Sequence, residues 1–233
     1  MNASPFVLYG FQHVVALIVI FGLVVFGPLY IGKRAEQTRH DFALGLGAIL
    51  IYHEIQQVFN AFIIGLPWQE ALPFHMCDMS ALSAAVYLIW RKRLFFLLAY
   101  FWGLGGGIMA LLQPDIPLGF PDPAFMPYFF GHGLIVGGVL YACIALRERP
   151  YLGDVWRVVK VSLGMTGVVY VLNYIFGHDA NFWYLKRHPA SDSIMNFFPD
   201  PPLHILVLVP LAIFVFYVSY LPYFFKDRLE GRN

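Results

Sequence analysis

FQHVVALIVIFGLVVFGPLYIG, from Phe11 to Gly32, contains no Asp, Glu, Lys or Arg. A helix needs about 20 mainly apolar residues to cross a hydrocarbon core of about 30 Å, and this run supplies them. The rest of the chain has the same character. Of its 233 residues, 59% are hydrophobic and 12% charged, against roughly 25% charged in a soluble domain. With a mean hydropathy of +0.66, there is more apolar surface than a water-soluble particle of this size can hide. The composition implies a multi-pass protein of the cell membrane. The net charge of +1 gives no basic field for nucleic acid. No Lys/Arg run reaches the four expected of a dedicated anionic-lipid patch.

Six further runs follow: Phe42 to Leu66, Phe74 to Trp90, Leu94 to Leu112, Pro127 to Leu146, Trp156 to Phe176 and Leu203 to Phe224. The third is the shortest. The opening residues MNASPFVLYG carry no Lys or Arg, so the first run reads as a retained anchor and not a signal peptide. Lys and Arg stay on the cytoplasmic side. Lys33, Arg34, Arg39, Arg91, Lys92, Arg93, Arg147, Arg149, Arg157, Lys160, Lys226, Arg228 and Arg232 all fall on one side of a seven-span chain, leaving only Lys186 and Arg187 on the other. The fold expected is therefore all-α, a single seven-transmembrane helix bundle over residues 1–233, N-terminus outside and C-terminus inside. The long loops Gln113 to Met126 and Gly177 to Pro202 then cap it from outside. Gly103 with Gly107, Gly106 with Ala110, and Gly133 with Gly137 stand four apart, the spacing that lets helix backbones approach closely in lipid.

Ionisable groups inside spans are costly and turn toward an interior or a functional site. In this topology His13, His75, Cys77, Asp78, His132 and His204 lie in the outer parts of their helices, and so do Asn60, Gln113 and Asn173. His53, Glu54, Gln56 and Gln57 lie near mid-depth. His53, Gln57 and Asn60 repeat at i, i+4, i+7, a stripe expected to face the bundle. His13, His53, Glu54, Gln57, Asn173 and His204 are accordingly candidate substrate-binding residues.

Cys77 and Cys143 fall at opposite membrane faces, which puts a disulfide between them out of reach. Cys143, among aliphatic residues, reads as packing. Cys77 lies in Leu72-Pro73-Phe74-His75-Met76-Cys77-Asp78, where Pro73 is suited to initiate a helix. Helix N-terminal amides and a nearby His can both favour thiolate. On a regular helix His75 and Asp78 share a face while Cys77 is about 200° around from His75. A base for Cys77 then comes more naturally from another helix, with His132 and His204 as candidates and His75 and Asp78 orienting or binding. Zinc on these His and Asp residues is the competing reading; no helical HxxxH or CxxC spacing supports it, and no metal or cofactor is expected.

The chain resembles the YwaF family of bacterial integral membrane proteins. The resemblance rests on Phe11-Gln12-His13, His53-Glu54, Leu72-Pro73-Phe74-His75-Met76-Cys77, the Gly103-to-Gly107 stretch running on to Gln113-Pro114-Asp115, Phe129-Phe130-Gly131-His132-Gly133 and Asn173-Tyr174-Ile175-Phe176-Gly177. The segment from Gly177 to Leu185 departs from the family pattern, with about two more residues between Gly and Asn. That family is similar to eukaryotic acyltransferases that move fatty acyl chains between phospholipids through an acyl-cysteine. The resemblance thus implies Cys77 as acyl-accepting nucleophile, His132 as general base, a phospholipid or lysophospholipid substrate and a bacterial inner membrane. The function expected is a lipid acyltransferase or acyl hydrolase with a pocket in the outer leaflet. The rival is a non-enzymatic binder or transporter of a small polar ligand or metal. Oligomeric state is not readable from the sequence.

Overall fold

The computed structural model describes residues 4–63, 65–69, 71–177, 180–189 and 194–231. Its long elements are seven helices, α1 Phe11–Ile31, α2 Glu36–Ile63, α3 Met76–Trp90, α4 Arg93–Leu112, α5 Phe125–Ile144, α6 Leu152–Ile175 and α7 Ile205–Leu229. Six of them are long and apolar enough to cross a membrane, and α3, at 15 residues, is a shorter apolar helix. The protein is an all-helical multi-pass membrane protein, in contact with membrane lipids. Large apolar side chains such as Phe11, Ile18, Leu23 and Phe26 stand exposed along α1, as a lipid-facing helix requires.

Several helix limits differ from the hydropathy reading, among them the starts of α2 and α3. α2 begins at Glu36, before the apolar run, because the polar turn Gln37-Thr38-Arg39 winds on as helix, with Gln37 donating to Asp41 one turn later (2.8 Å). The run beginning at Phe74 enters helix only at Met76. The middle of α4, Ala99–Gly107, is wound as π-helix, a form uncommon outside functional or strained stretches.

The chain forms two compact units, one comprising residues 1–54 and 80–149, the other residues 55–79 and 150–233. In the first, α4 and α5 are central, about half of each being buried against 11% of α1. Gly103 and Gly107 lie against Ile135 and Val136 of α5, and Gly133 and Gly137 against Ile20 and Val24 of α1. Those small-residue pairs do mark close helix contacts. Gly106 is exposed with nothing near it, so that pair does not. The N-terminal segment is fastened to the α4–α5 loop. Phe6 N–H donates to Pro117 O (3.0 Å), and Gln12 both donates to and accepts from Phe120 backbone.

In the second unit, α6 has Asp154 in its first turn, and its Oδ2 accepts from Tyr151 N–H (2.9 Å). A carboxylate at this position satisfies one of the donors a helix start leaves open. Trp156 meets Tyr217 of α7 edge-on at 6.4 Å between centroids.

Candidate functional site

α3 opens with the same device. Asp78 stands in its first turn, and its Oδ2 accepts from His75 N–H at 2.9 Å. Its other oxygen, Oδ1, accepts from the Cys77 thiol at 3.5 Å. One carboxylate therefore fixes both the start of the helix and the sulfur beside it. Cys77 is half-buried and forms no disulfide. His75, just outside the helix, presents its ring edge-on to Phe182 at 5.1 Å; the thiol's near neighbour is Asp78.

Over this helix start lies a set of aromatic rings. Phe182 meets Phe74 at 5.6 Å, Phe74 stacks on Phe176 at 6.1 Å, and Trp68 meets Phe176 at 5.4 Å. Polar bonds fix them. Trp183 Nε1 donates to Phe74 O (3.0 Å) and Gln69 Nε2 to Phe176 O (3.0 Å). Buried Asn173 donates through Nδ2 to Phe182 O (2.9 Å) and accepts at Oδ1 from Phe182 N–H (2.7 Å), as a neighbouring strand would. Its amide thus positions the loop. Asn181 turns the same loop, accepting from the N–H groups of Lys186 and Arg187 at 3.1 and 3.0 Å. Lys186 Nζ donates to Asn173 O (3.0 Å) and Gly177 O (2.5 Å), the carbonyls a helix C-terminus leaves open.

His204, at the start of α7, is fully buried. Its Nε2 donates to Tyr184 O (2.8 Å), Nδ1 has no partner, and the His188 ring stands edge-on to it at 5.2 Å.

In the first unit, His53 and Glu54 are both buried. His53 Nε2 donates to Pro127 O (3.2 Å), and Nδ1 faces Glu54 Oε1 at 3.5 Å. The imidazole therefore has an oxygen close to each ring nitrogen. Gly131 makes room for it: a Cβ there would come within 2.8 Å of His53 Nε2 and nearer still to Cε1. The expected stripe is buried only at His53, since Gln57 is exposed and Asn60 half-buried.

His132 Nδ1 lies 2.8 Å from Tyr128 O. A carbonyl only accepts, so Nδ1 carries the proton and Nε2 is the proton-accepting nitrogen. Fully buried His13 accepts at Nδ1 from Tyr9 N–H (3.0 Å) and donates from Nε2 to Leu111 O (2.8 Å). Both ring nitrogens are thus engaged by backbone, which ties the N-terminal segment and α1 to the end of α4. His13, His132, His204 and Asn173 each bond to backbone. The reason is that helix ends and loops offer unsatisfied main-chain groups next to every buried polar side chain. Among the described residues no three His, Cys, Asp or Glu side chains are grouped to hold a metal ion.

These motifs lie on a sequence that matches one family model over residues 8–220. The chain belongs to the TMEM164 family. An uncharacterized protein of Treponema pallidum (strain Nichols) is similar to it, 26% identical over 233 residues, covering 100% of this chain and 95% of the relative. No solved structure matches the chain significantly. Within this family member, the residues that spacing alone did not single out are Gly131, Trp183 and Phe182. The signal for the last two is the aromatic run Phe182-Trp183-Tyr184 in the segment between α6 and α7.

Proposed function

We propose that this TMEM164 family member is a lipid acyltransferase or acyl hydrolase that works through Cys77, in a bacterial inner membrane with its N-terminus outside and its C-terminus inside. The reading rests on one observation above all: a half-buried thiol held at a helix start beside a carboxylate, with the rings of Phe74 and Phe182 packed about the residues just before it. Aromatic rings offer apolar area for an acyl chain, and a helix start offers backbone N–H groups that favour negative charge. The resemblance to YwaF proteins adds the acyl-cysteine chemistry.

In the proposed reaction a base, the role that the resemblance gives His132, takes the Cys77 proton as the sulfur attacks the carbonyl carbon of a phospholipid acyl ester. The ester C–O bond then breaks, the lysophospholipid oxygen leaves with the proton from His132, and the acyl group remains as a thioester. A second lysophospholipid hydroxyl, or water, gives its proton to His132 and attacks that thioester; the sulfur departs and regains the proton. The Nδ1 bond to Tyr128 O supports this role, because it leaves Nε2 able to accept and return a proton. Asp78 and Asn173 act as positioning residues.

The test is transfer of a labelled acyl chain between phospholipid and lysophospholipid by the purified full-length chain. Cys77→Ala and His132→Gln are each expected to lower the rate by about three orders of magnitude, the scale on which nucleophile and base act as one unit. Full activity of Cys77→Ala would contradict the mechanism. Ligand binding without any turnover by the unmodified protein would favour the binder instead.

A further inference from the structure

Arginines that no sequence run brings together are gathered by the fold at one end of the first unit. Arg39 comes from the first turns of α2, Arg91 and Arg93 from the turn between α3 and α4, and Arg149 from the segment after α5. Arg39 Nη1 donates to Ala145 O (3.3 Å), while Tyr141 OH donates to Arg39 O (2.7 Å). Arg93 pairs with Glu148 at 3.3 Å and donates to Arg149 O at 3.2 Å. Arg91 lies over the Tyr87 ring at 5.6 Å, and the charges of Arg39 and Arg91 both act on the Tyr141 hydroxyl.

Two features make this more than a basic surface. Arg39 Nε and Arg91 Nη1 are buried donors with no acceptor. A buried guanidinium N–H without a partner loses its hydration for nothing, so its presence points to an acceptor that completes it. The backbone also holds this geometry against its preference: Arg91 has φ 55° and Arg147 φ 61°, left-handed values that only a surrounding structure sustains in non-glycine residues. Glu148, the acidic partner within the group, is engaged by Arg93.

We infer that this arginine cluster is an anion site for a phosphate group, with Arg39 Nε and Arg91 Nη1 as its donors. Guanidinium groups match the tetrahedral oxyanion through several charge-assisted hydrogen bonds. The cluster gathers at helix ends, before α4 and after α3 and α5, and the ends of membrane-spanning helices are where lipid phosphates are met. A phospholipid headgroup and a soluble phosphate share this chemistry, and the experiment separates them.

The full-length chain in a neutral detergent is titrated with inorganic phosphate, with short-chain phosphatidylglycerol and with the matching uncharged diacylglycerol, following its thermal midpoint. An upward shift with phosphatidylglycerol alone identifies a headgroup site; a shift with inorganic phosphate as well identifies a general phosphate site. Arg39→Gln and Arg91→Gln are each expected to weaken the response about tenfold, as the loss of a charged hydrogen bond requires. Arg91→Lys, which keeps the charge and loses the fork, serves should Arg91→Gln not fold, and is expected to weaken it similarly. Lys226→Gln with Arg228→Gln, in α7, should leave it intact. No shift with either phosphate compound, a shift with diacylglycerol equal to that with phosphatidylglycerol, or a response unchanged in the Arg39 and Arg91 variants, would overturn the assignment.

Discussion

Gly131 lies under the His53 ring, and that single contact explains why the motif Phe129-Phe130-Gly131-His132-Gly133 begins its glycine pattern there. Gly131→Ala forces the ring or the helix aside, and an overpacked core of this kind loses about 1 to 3 kcal/mol. In a His53→Ala background the obstruction is gone, so the same substitution should cost little. Unfolding midpoints of the four proteins measure that coupling, and additive effects would contradict the contact. Asp78 makes a second test. Asp78→Ala removes the acceptor for His75 N–H and should cost about 1 kcal/mol, whereas Asp78→Asn keeps an acceptor oxygen and should retain most of it. Equal losses would show that the cap is not the source. The candidate residues themselves were legible, since His, Cys and Asp are conspicuous in apolar runs. Their partners were not, because a buried imidazole can reach backbone carbonyls that spacing does not reveal, as His13 reaches Leu111 across 98 residues.

The segment around residues 180–189 is held by side chains from its own unit. Asn173 makes two hydrogen bonds to Phe182, each worth about 1 kcal/mol net and more when an orphan is left behind. Asn173→Ala should therefore destabilise by about 2 to 3 kcal/mol and expose this segment to limited proteolysis, with cleavage appearing between residues 180 and 189 well before the helices are cut. Unchanged protease resistance would mean that the aromatic contacts hold the loop alone. The helices were readable from hydropathy because lipid demands an apolar exterior along their length, and α1 matches its run within one residue. The early start of α2 was hidden, because hydropathy reports on the membrane-facing part of a helix and not on its polar extension. The π-helical winding of Ala99–Gly107 was equally hidden; a glycine-rich sequence permits several helical forms and dictates none.

The chain as a whole is a helical membrane protein of the TMEM164 family, and the orientation proposed for it rests on the distribution of basic residues. With its native cysteines replaced, single cysteines at exposed Pro123 and exposed Lys92 should report opposite sides of the membrane. An impermeant maleimide added to intact cells is expected to label position 123 and spare position 92, and the reverse pattern would invert the topology. Charge counts along the chain predict that topology. They concealed the arginine cluster, because a count along the chain misses residues that only folding brings together, such as Arg39, Arg91 and Arg149. The central claim concerns the Cys77 sulfur, and peptide mass spectrometry tests it most directly. After brief exposure of the purified full-length protein to a phospholipid of known acyl composition, the peptide bearing Cys77 should gain the mass of that acyl chain, and neutral hydroxylamine should remove it as it does thioesters. The mechanism is contradicted if that peptide stays unmodified while the protein is turning phospholipid over.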